Sequence, residues 1–196
     1  MKKKLLLHSC CAPCTSGVVP QLDDYKITLL FYNPNIDTLF EYNRRLATLK
    51  EYVKKYNAEF KAKLKLIAIP YNHEEFEPTA LVLKDEPEGG RRCTYCMEMR
   101  LDYTAKYAKE HGFDIFCSTL TVSPHKNHEL INNLGNAIAD KHDVEYLPNN
   151  FKKDNGFLMS VQNSYKYGLY RQKYCGCEFA KSHIDPREEF LELLKK

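Results

Sequence analysis

The sequence predicts an α/β protein: a mostly parallel open sheet flanked by helices, with a C-terminal segment folding over the functional edge. Three observations predict it. Short apolar segments that read as strands alternate with longer segments of helical character, the pattern left by a parallel sheet with crossover connections. Pro34, Pro70, Pro124 and Pro148 each fall just past one of the apolar segments and mark strand exits. Those exits gather the unusual residues: "HSCCAPC", "YNPNI", "PYNHEEFEP", "TLTVSPHKN" and "PNNFKKDNG". In an open parallel sheet the carboxyl ends of the strands share one edge, so these loops are expected to converge on one crevice.

The first strand is read at Lys4 to Ser9. "MKKKLLLHSCC" begins like a signal peptide, but three leucines are too few for one and suit a buried strand better. The second strand, Ile27 to Tyr32, precedes a helix over Asp37 to Asn57, with Phe40, Leu46, Leu49 and Val53 as its apolar residues. A third strand at Leu64 to Ile69 is followed by a helix over Tyr95 to His111. Gly112 suits its C-terminal cap, and Lys106, Lys109 and His111 suit its last turns. The fourth strand is read at Ile115 to Thr119, the next helix at Asn127 to His142, and the fifth strand at Val144 to Leu147. From Pro148 to Lys181 the chain reads as irregular, with a turn at Asp154-Asn155-Gly156. "PREEFLELLKK" reads as a terminal helix, with Pro186 near its start and Lys195 and Lys196 at its end. The organisation expected is one α/β domain over 1–196, within which 148–196 supplies a lid and the terminal helix.

At 196 residues, with 43% hydrophobic and 28% charged residues, the chain can bury a continuous core without disulfides. Its apolar runs fall far short of the roughly 20 residues of a membrane helix, so no membrane partner is expected and the cytoplasm is the expected location. Seven of the eight cysteines are clustered: Cys10, Cys11 and Cys14; Cys93 and Cys96; Cys175 and Cys177. Clusters of this kind in a reducing compartment point to metal or redox chemistry, whereas the isolated Cys117 reads as a small buried hydrophobe. The net charge of +3 does not by itself indicate nucleic-acid binding. "SYKYGLYRQKY", Ser164 to Tyr174, has two readings: rings and cations for stacking and phosphate contact, or a tyrosine-rich segment packed on the domain.

Three readings of the cysteines compete. A thioredoxin-like dithiol oxidoreductase needs only Cys11 and Cys14, activated at a helix N-terminus, and leaves the other clustered cysteines without a role. A zinc-stabilised RNA-binding protein would draw four thiolates from Cys10/Cys11 or Cys11/Cys14 with Cys93/Cys96. A four-iron four-sulfur cluster would take each cysteine at a different iron corner, which accommodates adjacent ligands better than one small ion does. Spacing alone leaves zinc and cluster open. Cys175 and Cys177 close a tight ring if oxidised, which favours a reversible redox pair over a structural bridge. Reduced thiols that bind metal or line the pocket are the alternative.

"HSCCAPC", "FYNPNI", "EPEGGRRCTYC", "TLTVSPHKN" and "YRQKYCGC" occur in this order over roughly residues 5 to 178. In combination they resemble the QueH-type epoxyqueuosine reductases. The resemblance implies a fold similar to the nucleotide-hydrolase-like, Rossmann-like group that includes tRNA-thiolating enzymes. It also implies an iron-sulfur enzyme that removes the epoxide oxygen of epoxyqueuosine at the tRNA wobble position, the last step of queuosine synthesis. Cys10, Cys11, Cys93 and Cys96 are then the cluster ligands. Cobalamin is not expected, and without an S-G-G-x-D-S loop neither is ATP chemistry. The partners implied are tRNA carrying epoxyqueuosine and an electron donor that the sequence does not identify.

Removing an epoxide oxygen takes two electrons and a sink for the oxygen. Cys14, with a neighbouring thiolate or carboxylate, is the candidate holder of a second, mononuclear iron or other divalent metal acting as Lewis acid. His8 and Asp154 are the candidate proton-handling residues, with His73 and His125 also near strand exits. Arg91 and Arg92 are candidates for tRNA phosphate or for raising the cluster's potential; ion pairs with Glu86 or Glu88 are the alternative. Tyr32, Asn33 and Asn35 are expected to contact the modified base, and Lys166, Tyr167, Tyr170, Arg171, Lys173 and Tyr174 the anticodon arm.

Overall fold

The computed structural model describes residues 2–153 and 155–183; the expected terminal helix from Pro186 and the candidate Asp154 lie outside them. Among the described residues five parallel strands form one sheet in the order β3-β2-β1-β4-β5. They are β1 (Lys4–His8), β2 (Lys26–Phe31), β3 (Lys65–Ala68), β4 (Ile115–Ser118) and β5 (Glu145–Tyr146). Leu5, Leu6 and Leu7 of β1 are all fully buried, because the central strand of a parallel sheet is covered on both faces and needs no polar alternation. β1 pairs with β2 on one side and β4 on the other. The strand order therefore reverses between β1 and β4, and the crevice expected at the strand ends is centred there.

The helices are α1 (Ala12–Val18), α2 (Leu39–Phe60), α3 (Glu77–Val82), α4 (Arg91–Glu110), α5 (His128–His142) and α6 (Gly156–Tyr167). Thr38 caps α2 by accepting from the Glu41 amide at 3.2 Å, and Asn127 caps α5 by accepting from Glu129 and Leu130. α4 starts four residues earlier than the apolar spacing indicates, directly after Gly89 and Gly90. A Cβ at Gly90 would lie 2.7 Å from Glu86 Oε2 and 3.0 Å from the Pro87 carbonyl, so a larger residue at this tight entry would require both to give way. The early start places Cys93 and Cys96 one turn apart on a single helix face.

α6 corrects the expectation of an irregular segment after Pro148. Its buried residues are Gly156, Ser160, Ser164 and Tyr167; Gly156 and Ser160 pack closely on Gly17 of α1, and Asn163 donates to the Ser16 carbonyl. Small polar residues carry no apolar period, while Phe157, Leu158 and Tyr165 point outward. No helix among the described residues is long and apolar enough to cross a membrane.

Candidate active site

β1 ends at His8, and the chain turns through Ser9 and Cys10 into α1. Cys11 is the N-cap of α1, its sulfur accepting from the Cys14 amide at 3.4 Å. Pro13 in the first turn fixes the helical entry. Cys10 is anchored across the switch point by Thr119, just past β4: its amide donates to Thr119 Oγ1 at 3.2 Å, and that hydroxyl donates to Cys10 Sγ at 3.4 Å. The sulfurs of Cys10 and Cys11 are 3.8 Å apart, and those of Cys10, Cys11 and Cys14 all lie within 4.8 Å of one another. Hydrogen bonds from the Cys11 and Cys14 thiols, with Thr119 adding to them, hold Cys10 well below the ordinary thiol value. Burial pushes Cys11 up to about 12, and donation to Cys10 and Cys11 pushes Cys14 up. Three sulfurs this close, with the acidity of one raised by hydrogen bonds from the others, are an arrangement suited to metal ligation.

On α4, Cys93 Sγ accepts from the Gly89 amide at 3.3 Å. Cys96 is buried in a small apolar cluster with Phe76, Ala80 and Cys177, against which Cys175 packs. Burial raises its thiol, and Arg100 opposes the rise. The Cys175-Gly176-Cys177 turn is thereby brought to α4, and α2 and the β2 exit hold it from the other side. Arg45 Nη1 donates to the Cys175 carbonyl at 3.0 Å and Nη2 to the Tyr174 carbonyl at 3.2 Å; the Asp37 amide donates to the Gly176 carbonyl at 2.9 Å. Gly176 has φ +112°, and a Cβ there would sit 3.0 Å from Ile36 and 3.1 Å from Arg45. All eight cysteines are free thiols. A cavity of about 270 Å³ has Cys10, Cys14, Arg45, Arg100, Arg171, Lys173 and Cys175 in its wall.

The model of the family described as epoxyqueuosine reductase QueH matches residues 5–183. The chain belongs to the QueH family. It is 44% identical over 189 residues to the epoxyqueuosine reductase QueH of Staphylococcus epidermidis, covering 94% of this chain and 79% of that one. It is 45% identical over 183 residues to that of Staphylococcus aureus, covering 92% and 76%. Against that of Thermotoga maritima it is 35% identical over 195 residues, covering 98% of this chain and 96% of the other.

In this QueH chain the other sequence candidates divide by location. His8 is fully buried behind the cysteines. Its Nε2 donates to the Tyr32 carbonyl at 3.0 Å, so its Nδ1 accepts from Ser118 Oγ at 2.9 Å. Burial first, then Arg100, lowers its pKa to about 4, and the ring is neutral. Tyr32, Asn33 and Asn35 turn inward rather than into the cavity. Tyr32 donates to Glu75 and stacks on Tyr103 at 3.8 Å. Asn33 donates to the Ser9 carbonyl and Asn35 to that of Cys175, so the two amides brace the loops around the thiols. Arg91 pairs with Glu86 at 3.0 Å. Arg92 is buried with Nη1 on the carbonyls of Leu83, Lys84 and Glu86, which places it in the structural frame rather than on an RNA-facing surface.

The Ser164–Tyr174 segment splits in two. Lys166 and Tyr167 bond to Glu59 near the end of α2, at the opposite edge of the sheet from the cysteines. Tyr170 donates to Glu41 and lies under Arg44, while Arg171, Lys173 and Tyr174 reach the cavity wall. Sequence reading missed Arg45, Arg100 and Phe157 in that wall. Arg100 was nonetheless signalled, lying four and seven residues beyond Cys96 and Cys93 on the same helix face.

Proposed function

We propose that this chain reduces the epoxide of epoxyqueuosine, carried at the wobble position of tRNA, to the alkene of queuosine. The observation that carries the reading is the meeting of three thiols at the sheet's switch point with a cation-lined cavity that also takes in Cys175. An epoxide, two electrons and two protons give an alkene and water. The site must therefore accept electrons, handle protons and hold an anionic RNA.

Cys10, Cys11, Cys93 and Cys96 would hold a four-iron four-sulfur cluster. The donor set fits: two pairs of thiols at the starts of two helices, none consumed in a disulfide. When bound, such a cluster supplies electrons one at a time. Cys14, whose sulfur lies beside those of Cys10 and Cys11, would hold the second, mononuclear iron or other divalent metal. Cys175 and Cys177 would cycle between dithiol and disulfide, releasing two electrons and two protons per cycle, with a donor outside the chain restoring the dithiol. Arg171, Lys173 and Tyr174 would receive the anticodon arm at the cavity mouth. His8 acts as a positioning residue, its neutral ring tying the end of β1 to the exits of β2 and β4.

The test is anaerobic reconstitution with iron and sulfide, followed by turnover of epoxyqueuosine-tRNA with a chemical reductant, beside Cys10→Ser. Brown protein containing acid-labile sulfide that turns over, with the variant impaired in both respects, supports the reading. A colourless protein that retains zinc and takes up no labile sulfide overturns it.

A further inference from the structure

One buried cation in the cavity wall lacks a counterion. Arg100 is 3% exposed. Its Nε donates to the Cys96 carbonyl at 2.9 Å, and its remaining N–H groups meet no acceptor among the described residues. The side chain lines the cavity with Cys10, Cys14 and Cys175. Of the other buried arginines, Arg45 is paired with Glu41, whereas Arg92 has Nη1 on three backbone carbonyls and an unpartnered Nε but lies outside the cavity wall. A guanidinium taken out of water without an anion is costly, and such groups persist where something negative is to be bound.

The place of Arg100 identifies that negative group. It stands one turn beyond Cys96 on α4 and shares the cavity wall with Cys10. Its field reaches His8 behind Cys10 on one side and Cys96 on the other. RNA phosphate meets exposed cations first, and Arg100 is too deeply buried to serve as one.

We propose that Arg100 is the fixed counter-charge of the thiolate site: it offsets the negative charge that Cys10, Cys11, Cys93 and Cys96 bring to a bound metal group, and it sets how readily that group accepts an electron. The inference rests on the cluster reading given above. A fixed positive charge favours the reduced, more negative form, so its loss lowers the reduction potential.

The test compares wild type, Arg100→Gln and Arg100→Lys, each reconstituted anaerobically, by iron and sulfide content, midpoint potential and melting of the metal-free protein. In Arg100→Gln the one-electron equilibrium is expected to shift about tenfold toward the oxidised form, which is 59 mV, with Arg100→Lys restoring most of the shift. Metal-free Arg100→Gln is expected to melt no lower than wild type, since the variant removes an uncompensated buried charge. A variant that folds but assembles less iron and sulfide, and is restored by Lys, also supports the proposal. An unchanged potential on a full cluster overturns it, as does an Arg100→Gln protein that melts lower or fails to fold without metal, or a Lys variant that restores nothing. Wild type that takes up no labile sulfide defeats the cluster reading itself, which separates the two failures.

Discussion

Arg45→Met tests how the C-G-C turn is held. Arg45 and Glu41 form an ion pair at 2.7 Å with side chains only 2% and 8% exposed, and the single Tyr170 hydroxyl donates to the Glu41 carboxylate, 3.2 Å from each oxygen. Removing the guanidinium leaves a buried carboxylate supported by one phenol, for which the cost is about 3–5 kcal/mol. The charged donors to the Cys175 and Tyr174 carbonyls are lost in the same step, and that share of the cost is not recovered by changing Glu41. Glu41→Gln in the Arg45→Met background removes the stranded charge while leaving an acceptor for Tyr170, so the double variant is expected to be more stable than Arg45→Met by about 1–3 kcal/mol. Urea unfolding of the reduced, metal-free proteins followed by circular dichroism measures both quantities. Iodoacetamide labelling should also show Cys175 reacting faster in Arg45→Met, with fully buried Cys117 as the unreactive internal standard. A loss under about 1 kcal/mol, or a double variant no more stable than the single, refutes the reasoning.

Gly17→Ala drives a Cβ to 2.5 Å from the Gly156 carbonyl and 2.9 Å from Ser160 Cβ. It should separate α1 from α6 and cost about 1–3 kcal/mol in the same unfolding assay. Lys173→Glu, at the cavity wall, should weaken tRNA binding and reduce the slope of log affinity against log salt by about one. Lys166→Glu, paired with Glu59 at the far edge, should leave both unchanged in the same filter-binding titration. Burial pushes the Asp102 carboxyl up, but hydrogen bonds from Lys141 and His142 outweigh this and hold it below the usual carboxylate range. Its stabilising effect is present above its ordinary value and is lost as pH falls through the lower folded value. Between pH 5 and 3 wild type should therefore lose more stability than Asp102→Asn in acid melting curves.

The strands and their shared edge were legible because a central parallel strand must be apolar on both faces, and "KLLLH" and "ITLLF" are. Two kinds of feature were not. α6 buries glycine and serine against α1, so its close packing leaves no hydrophobic period. The roles of polar loop residues depend on which way the backbone turns. Asn33, Asn35 and Tyr32 have the chemistry to hold a sugar-like ring, yet each is used to brace one loop against another. The same holds for Arg92, whose neighbour in sequence is a thiol but whose neighbours in space are carbonyls. Cysteine spacing singled out the thiols that gather after β1, and burial alone distinguishes the cations beside them.

Those cations form two tiers, which reconciles a net charge of only +3 with an anionic RNA substrate and a cysteine-rich floor. Lys173 and Arg171 stand in the wall on the return from α6, while Arg100 is sealed beside the thiols. Charges near solvent are screened over about 8 Å at physiological salt, whereas a buried charge is screened much less. Salt should therefore weaken the grip on RNA without altering the electrostatic setting of the thiols. Binding and electron transfer can then be tuned separately within one cavity: raising ionic strength in turnover assays should raise the apparent KM for tRNA and leave the midpoint potential in place.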